Sequence, residues 1–352
     1  MMTCKTLSRR TLAWSLLLVA LSGGCAAVVG AGGGEADSVT ASAVPLDSGR
    51  PDRGTLGPLR FLGGLDIAGG DRVGGLSGLW VDPAGVRFVA IGDTGLVVDG
   101  RLQGGADGRL TGVSEVRARP LTVEEGISHQ KSRTDAEDLT RLPDGGWLVS
   151  LERDHRILRY TGGGQGPEGS PTPIPRPPGM DSTPENGGLE ALTLLPDGRL
   201  LTIEEGKEDG RQERRAWIAK PGLAGDGLPR SADDWQPFTY RTAPRYRPTS
   251  VAPLPDGGAL VLERRVSLLG GWSSRLVRVA ARQLTASAVA GAVVDGEELG
   301  RLEAPLVNDN FEGIATRPGP AGETLVYLIS DNNFSSLQRT YLLLFALHGP
   351  SS

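Results

Sequence analysis

The sequence predicts an all-β fold, a β-propeller of five repeat units, and three observations lead there. With 52 Gly and 25 Pro in 352 residues, turns are frequent enough to favour short strands over long helices. One pattern recurs: an acidic or hydroxyl residue, a short apolar run, a Pro/Asp/Gly turn, a second apolar run and a closing acid, as in "DAEDLTRLPDGGWLVSLER" from Asp135 to Arg153. With Ser77, Glu137, Glu190, Ser250 and Glu312 taken as equivalent, successive repeats lie 60, 53, 60 and 62 residues apart, the period of a propeller blade with long loops. A β-sandwich, the competing all-β fold, shares the common turn but not a repeat that runs from acid to acid.

In chain order, residues 1–27 read as an export signal. Lys5, Arg9 and Arg10 precede the apolar "TLAWSLLLVAL", and the small residues "SGGCAA" follow, so the mature protein is expected in the periplasm or outside the cell. "SRRTLA" is similar to a twin-arginine signal, although the same arginines also serve as the positive end of an ordinary secretory signal. "LSGGC" resembles a bacterial lipobox with Cys25 as the lipidated residue and membrane tether, with Ser22 where Leu is usual. Cys4 and Cys25 are the only cysteines, which leaves the mature body none for a disulfide or a thiolate site. Removing Lys5, Arg9 and Arg10 takes the formal charge from −5 to −8 (−5 − 3), a poor balance for binding nucleic acid. Residues 28–56, rich in Gly, Ala, Ser, Asp and Pro without periodicity, read as a flexible tether, and 57–349 as the propeller domain, expected to be a monomer.

The units are "GGLSGLWVDPAGVRFVAIGDTG" from Gly74, "DAEDLTRLPDGGWLVSLERD" from Asp135, "GGLEALTLLPDGRLLTIEEG" from Gly187, "RPTSVAPLPDGGALVLERR" from Arg247 and "NFEGIATRPGPAGETLVYLISDNN" from Asn310. In each, two β-branched or Leu-rich runs flank a tight turn and make a β-hairpin. "RILRYTG", "AWIAKPG" and "SRLVRVAARQL" supply outer strands. In the last unit "RTYLLLFALHG" gives a third strand and little chain remains, so "PLRFLGGLDI", residues 58 to 67, is expected to close that blade from the N-terminal side. Six blades is the alternative count, if a degenerate one lies between units. "SPTPIPRPPG" reads as a polyproline-like surface loop.

Antiparallel pairing sets the start of one hairpin strand beside the end of the other. The opening residues and the closing acids Asp93, Glu152, Glu204, Glu263 and Asp331 therefore share one mouth of the propeller. With the first strands innermost, Glu137, Glu190 and Glu312 surround the central channel. Like charges so close require a cation, a shared proton or an Arg partner. The available donors are oxygens, with Asn308, Asp309, Asn310, Asn332 and Asn333 around the last unit, which suits a hard divalent cation such as Ca²⁺. Glu137, Glu190, Glu312, Asp93 and Asp331 are its candidate ligands. His129, His155 and His348 are dispersed, which argues against Zn²⁺. Glu152 and Glu263 have an alternative as structural ion pairs, with Arg153 and with Arg264 or Arg265. A one-residue error in register would turn a channel-facing carboxylate away.

"GGLSGL", "DAEDL", "NGGLEAL", "LVLERR" and "NFEGIA…LISDNNF" together resemble the motif series of the bacterial phytase-like family, named for an esterase-like activity of phytase, from about Leu59 to Leu347. That resemblance implies an exported β-propeller hydrolase acting on phosphate or other esters. The residues permit metal-assisted hydrolysis: Glu137, Glu190 and Glu312 as the catalytic, metal-holding carboxylates, with Arg153, Arg264, Arg265, Lys131 and Arg133 holding a small anionic ester. His129 is a further candidate for general acid. No G-x-S-x-G elbow is present, and the Gly-rich stretches lack a P-loop Lys, which disfavours serine catalysis and nucleotide binding. A lactonase-type propeller enzyme with one channel metal and a non-catalytic binding propeller are the other readings, because fold alone does not choose among them.

Overall fold

The computed structural model describes residues 36–69, 72–124, 131–207, 209–267, 270–285, 289 and 291–348. The export signal, Cys25, His129 and the Lys131 side chain lie outside the described residues.

Three strands, β1 (Thr40–Val44), β2 (Thr55–Leu56) and β3 (Leu59–Ala68), precede the first repeat. Blade 1 is β4 (Leu76–Val81), β5 (Arg87–Gly92), β6 (Leu96–Gly104) and β7 (Leu110–Pro120). A four-residue helix, Lys131–Thr134, leads into blade 2, formed by β8 (Ala136–Arg141), β9 (Trp147–Leu151), β10 (Arg156–Tyr160) and β11 (Thr172–Ile174). Blade 3 is β12 (Leu189–Leu194), β13 (Leu200–Glu204), β14 (Glu213–Ala219) and β15 (Trp235–Arg241). Blade 4 follows as β16 (Arg247–Pro253), β17 (Ala259–Ser267) and β18 (Gly271–Val279). Its chain then lends β19 (Val293–Asp295) to the edge of blade 3 before β20 (Glu297–Leu302) completes it. Blade 5 is β21 (Asn310–Pro318), β22 (Thr324–Asp331) and β23 (Thr340–Leu347), closed by β3 and then β1. Five blades therefore form, with the expected N-terminal closure.

The first strands, β4, β8, β12, β16 and β21, neighbour one another in a ring around the axis. Each sheet buries both faces against the next, so the core is divided into wedges between blades. Leu65, Leu79 and Tyr327 lie in the wedge of blades 5 and 1, Val89 and Trp147 between 1 and 2, Leu148 and Trp217 between 2 and 3. Tyr240 and Val261 lie between 3 and 4, and Leu262 and Phe311 between 4 and 5. Burial on both faces explains why inner strands such as "LEALTL" read as nearly continuous apolar runs rather than a clean alternation.

Two expectations are corrected. Of the stretch read as a flexible tether, residues 40–44 pair with β3 and Leu46 is fully buried, because apolar positions hidden among small residues dock on the edge of blade 5. The propeller thus begins before residue 57. Within the proline-rich stretch, Thr172–Ile174 forms the outer strand of blade 2, an edge position that tolerates missing N–H donors.

Candidate active site: an acidic cup on the propeller axis

Every inner strand carries a β-bulge near its start. The ladder skips Glu137 in β8, Glu190 in β12, Thr249 in β16 and Glu312 in β21, and breaks between Leu76 and Leu79 in β4. A bulged residue leaves the pleat and its side chain is re-aimed. Here the bulges direct Ser77, Glu137, Glu190 and Glu312 into one cavity of about 400 Å³.

Just outside the bulge, each blade adds a facing pair: Gly75 with Asp93, Asp135 with Glu152, Gly188 with Glu205, Arg247 with Arg264, and Asn310 with Asp331. The second members of these pairs, Asp93, Glu152, Glu205, Arg264 and Asp331, all line the cavity, together with Asp135, Arg153, Arg247 and Asn333. Beneath them the buried Asp138 makes a floor. Its Oδ2 accepts from Leu192 N (3.0 Å), Ser250 Oγ (2.9 Å) and Val251 N (3.4 Å), tying blades 2, 3 and 4 together.

Three equivalences from the sequence are one residue off. Ser250 does not face the cup; Thr249 occupies the bulge. Glu204 is turned outward and held by Arg215 (2.6 and 2.8 Å), leaving Glu205 at the cup. Glu263 points into the blade, where it accepts from Tyr240 Oη (2.7 Å) and Arg275 Nη1 (2.6 Å), and Arg264 takes the cup position. The pairing of Glu152 with Arg153 is likewise replaced, because Arg153 binds Asp135 at 2.7 Å. Of the other candidates, Arg153 and Arg264 line the cup. Arg133 does not: it pairs with Glu124 on a part-exposed loop. Asn308 and Asp309 face Trp272 and the segment at Gln338 and Arg339, away from the axis. Asp135, Glu205 and Arg247 are cup residues that the repeat comparison did not single out.

The charges divide into two groups. On one side Arg264 reaches Glu312 (2.8 Å), Glu205 (3.0 Å) and Asn310 Oδ1 (2.6 Å), and Arg247 reaches Glu205 (3.0 Å). Glu312 also accepts from Asn310 Nδ2 (2.7 Å) and Ser77 Oγ (3.3 Å). Burial works against charge on Arg264, but Glu312, Glu205 and Glu190 hold it protonated more firmly than usual. On the other side Glu137, Glu190 and Glu152 form ion pairs with no Arg or Lys among the described residues and instead hydrogen-bond one another through Glu190. Burial lifts Glu137 and Glu190 well above the carboxylate range; Glu152 raises both further and Glu137 raises Glu190, while the hydrogen bond from Glu190 works the other way on Glu137. Burial likewise raises Glu152, and Glu312 despite Arg264. Asp331 is pushed up to about 8 by burial and by Glu312 and Asp93, although Asn333 N–H at 2.6 Å opposes this.

Two carboxylate triads in this cup, Asp135–Glu137–Glu152 and Glu152–Glu190–Glu205, offer oxygens within 4.8 Å of one another. That spread fits one Ca²⁺ shell, in which ligand oxygens at about 2.3–2.6 Å from the ion stand up to roughly 5 Å apart. The all-oxygen donor set and the cationless Glu137, Glu190 and Glu152 fit a hard divalent cation. Glu137 and Glu190 belong to these triads; Glu312, Asp93 and Asp331 line the cavity outside them.

Fold and mouth define a five-bladed propeller with a buried polycarboxylate cup on its axis. The profile of the phytase-like family, described as esterase-like activity of phytase, matches residues 71–334, and the chain belongs to that family. No curated protein matches the chain. Similar solved structures include a PQQ-bound aldose sugar dehydrogenase from Streptomyces coelicolor, 16% identical over 82% of this chain and 98% of that one, with a TM-score of 0.43. They also include virginiamycin B lyase from Staphylococcus aureus (14% identity, 81% and 73% covered, TM-score 0.38) and a putative gluconolactonase (15%, 83% and 94%, 0.36).

Proposed function

We propose that this propeller is an exported hydrolase that uses a divalent cation, Ca²⁺ by preference, to cleave anionic phosphate or other esters in the acidic cup. The observation that carries the reading is the run Glu137–Glu190–Glu152: buried carboxyls stacked on one another with no cationic side chain paired to them among the described residues. Such an arrangement is costly unless protons or a metal ion neutralise it. These three, with Asp135 and Glu205, would hold the cation. When bound, it supplies positive charge that polarises the ester centre.

Arg153, Arg247 and Arg264 stand around the same cavity as forked donors for the anionic oxygens of the substrate. Their presence favours an anionic ester over the neutral ring of a lactone. Asp331, pushed up to about 8, keeps its proton near neutral pH and would protonate the leaving oxygen. Glu312, fixed by Arg264, Asn310 and Ser77, sets Arg264 in place. Export to the periplasm or beyond, a tether through Cys25 and a monomeric state are part of the proposal and rest on the sequence.

The test is calorimetric titration of metal-stripped protein with Ca²⁺ and elemental analysis, alongside hydrolysis of an aryl phosphate and an aryl acetate. Binding in a defined ratio, weakened more than 100-fold together with turnover by Glu137→Gln or Glu190→Gln, is the expected result. A wild-type protein that neither takes up the cation nor cleaves either ester overturns the reading in favour of a structural acid ring.

A further inference from the structure

Beside the cup, on blades 3 and 4, lies a second cavity of about 520 Å³ lined by Arg214, Arg245, Arg247, Arg264, Arg265 and Trp272. Five guanidinium groups around one small space repel each other unless an anion joins them. Arg247, Arg264 and Arg265 already have carboxylates, in Glu205, Glu312 and Glu303. Arg214 and Arg245 have no ion pair among the described residues. Arg214 is only 3% exposed; among the described residues its side chain bonds from Nη1 to Lys207 O (3.1 Å) and its buried Nε has no acceptor. The Nε groups of Arg264 and Arg265 are also buried without an acceptor. Burial and the like charge of Arg247 work against keeping Arg214 protonated and outweigh the opposing pull of Asp209, Glu205 and Glu204; a bound anion would add to that pull.

Two of the five guanidinium groups have no ion pair among the described residues, and unmatched N–H donors come from several directions. A planar carboxylate offers too few oxygens to meet them; a tetrahedral dianion offers three. On the remaining wall Val266, 51% exposed, stands opposite Trp272 in the β17–β18 ladder, an apolar surface beside the charged floor. The volume is that of a small-molecule site. We infer that this arginine-lined cavity is a binding site for an organic phosphate monoester, its dianion held by Arg214 and Arg245 with the shared Arg247 and Arg264, and its organic part against Trp272 and Val266. As the seat of a substrate this rests on the hydrolase reading above; as a binding site it does not.

The test uses the full mature chain stripped of metal, titrated calorimetrically with inorganic phosphate and with phenyl phosphate at constant ionic strength, against a chloride control. Both are expected to bind once per chain, phenyl phosphate at least 5-fold more tightly. Arg245→Gln, at an exposed side chain that leaves the core intact, is expected to weaken both at least 10-fold, as is Arg214→Gln in a sample whose circular dichroism matches wild type. Trp272→Leu is expected to erase the preference for phenyl phosphate while inorganic phosphate still binds. Heats equal to the chloride control, or Arg245→Gln binding like wild type, overturn the inference. Equal affinity for the two phosphates overturns the organic half and leaves a site for free phosphate. Absence of hydrolysis in the same samples counts against the enzyme reading alone.

Discussion

Blades 2 and 4 share one backbone plan and present opposite charges at the same mouth. Each has a bulge on its inner strand and a facing pair just outside it. Blade 2 fills these three places with Asp135, Glu137 and Glu152, and blade 4 with Arg247, Thr249 and Arg264. The frame decides where a side chain is delivered; the residue delivered decides the chemistry. One basic blade in a ring of acidic ones gives the cup a matched side, where Arg264 and Arg247 hold Glu205 and Glu312, and an unmatched side around Glu190.

The sharpest way to break this contrast is Arg264→Gln. It leaves Glu312 without its arginine and Glu205 with Arg247 alone, and removal of one member of a buried ion pair costs about 3–5 kcal/mol. Urea unfolding of metal-free protein reads the loss, and added Ca²⁺ should recover part of it; an unchanged midpoint would mean that blade 4 does not balance the cup. Next in size is Glu263→Gln. It disturbs the buried contacts with Arg275 and Tyr240, expected to cost about 2–3 kcal/mol, yet Ca²⁺ affinity should stay at the wild-type value because Glu263 faces away from the cup. A fall in affinity in calorimetry would return Glu263 to the site.

The dependence on pH tests the unmatched side. Glu137, Glu190 and Glu312 are raised by burial and Asp331 is pushed up to about 8, whereas the same carboxyls in an unfolded chain ionise near pH 4. Raised folded values mean stability that is full below the unfolded value and is lost as pH climbs through the folded one. Metal-free protein should therefore show a Tm that declines by a few degrees between about pH 5 and 8, and Ca²⁺ should flatten that decline. A metal-free Tm that rises across this window contradicts the picture of stacked, protonated carboxyls. The smallest effect belongs to Thr249→Val. The hydroxyl makes only 3.4 Å bonds to Leu262 O and Phe311 O, so stability should change by under about 1 kcal/mol and Ca²⁺ affinity by less than twofold.

The repeats made the blades, the closing strand and the shared mouth legible in the sequence. Individual site residues were legible only in part, because the units were matched by residue identity. "TIEEG" offers two acids, and identity chose Glu204; in "VLERR" it chose Glu263. The turn supplies a better ruler. Pro143, Pro196 and Pro255 each open the same hairpin turn, six residues after Glu137, Glu190 and Thr249 (143 − 137, 196 − 190, 255 − 249) and nine before Glu152, Glu205 and Arg264 (152 − 143, 205 − 196, 264 − 255). Counted from the proline, the acidic cup and its one basic blade fall into register. The arginine cavity has no such ruler, since Arg214 and Arg245 come from outside the repeat and meet only when blades 3 and 4 pack.

The pairing of β3 with β23 joins partners separated by 273 to 288 residues (340 − 67 and 347 − 59). Closing a loop of that size costs on the order of 5 kcal/mol in chain entropy, and none of it is recovered until the final strand arrives. A chain threaded unfolded across a membrane from its N-terminus would thus deliver β3 first and leave its apolar edge waiting in the new compartment for the last strand to emerge, open to capture by another copy. A chain that folds before it is moved never passes through that interval, which gives this architecture a physical stake in the order of folding and transport under the proposed export.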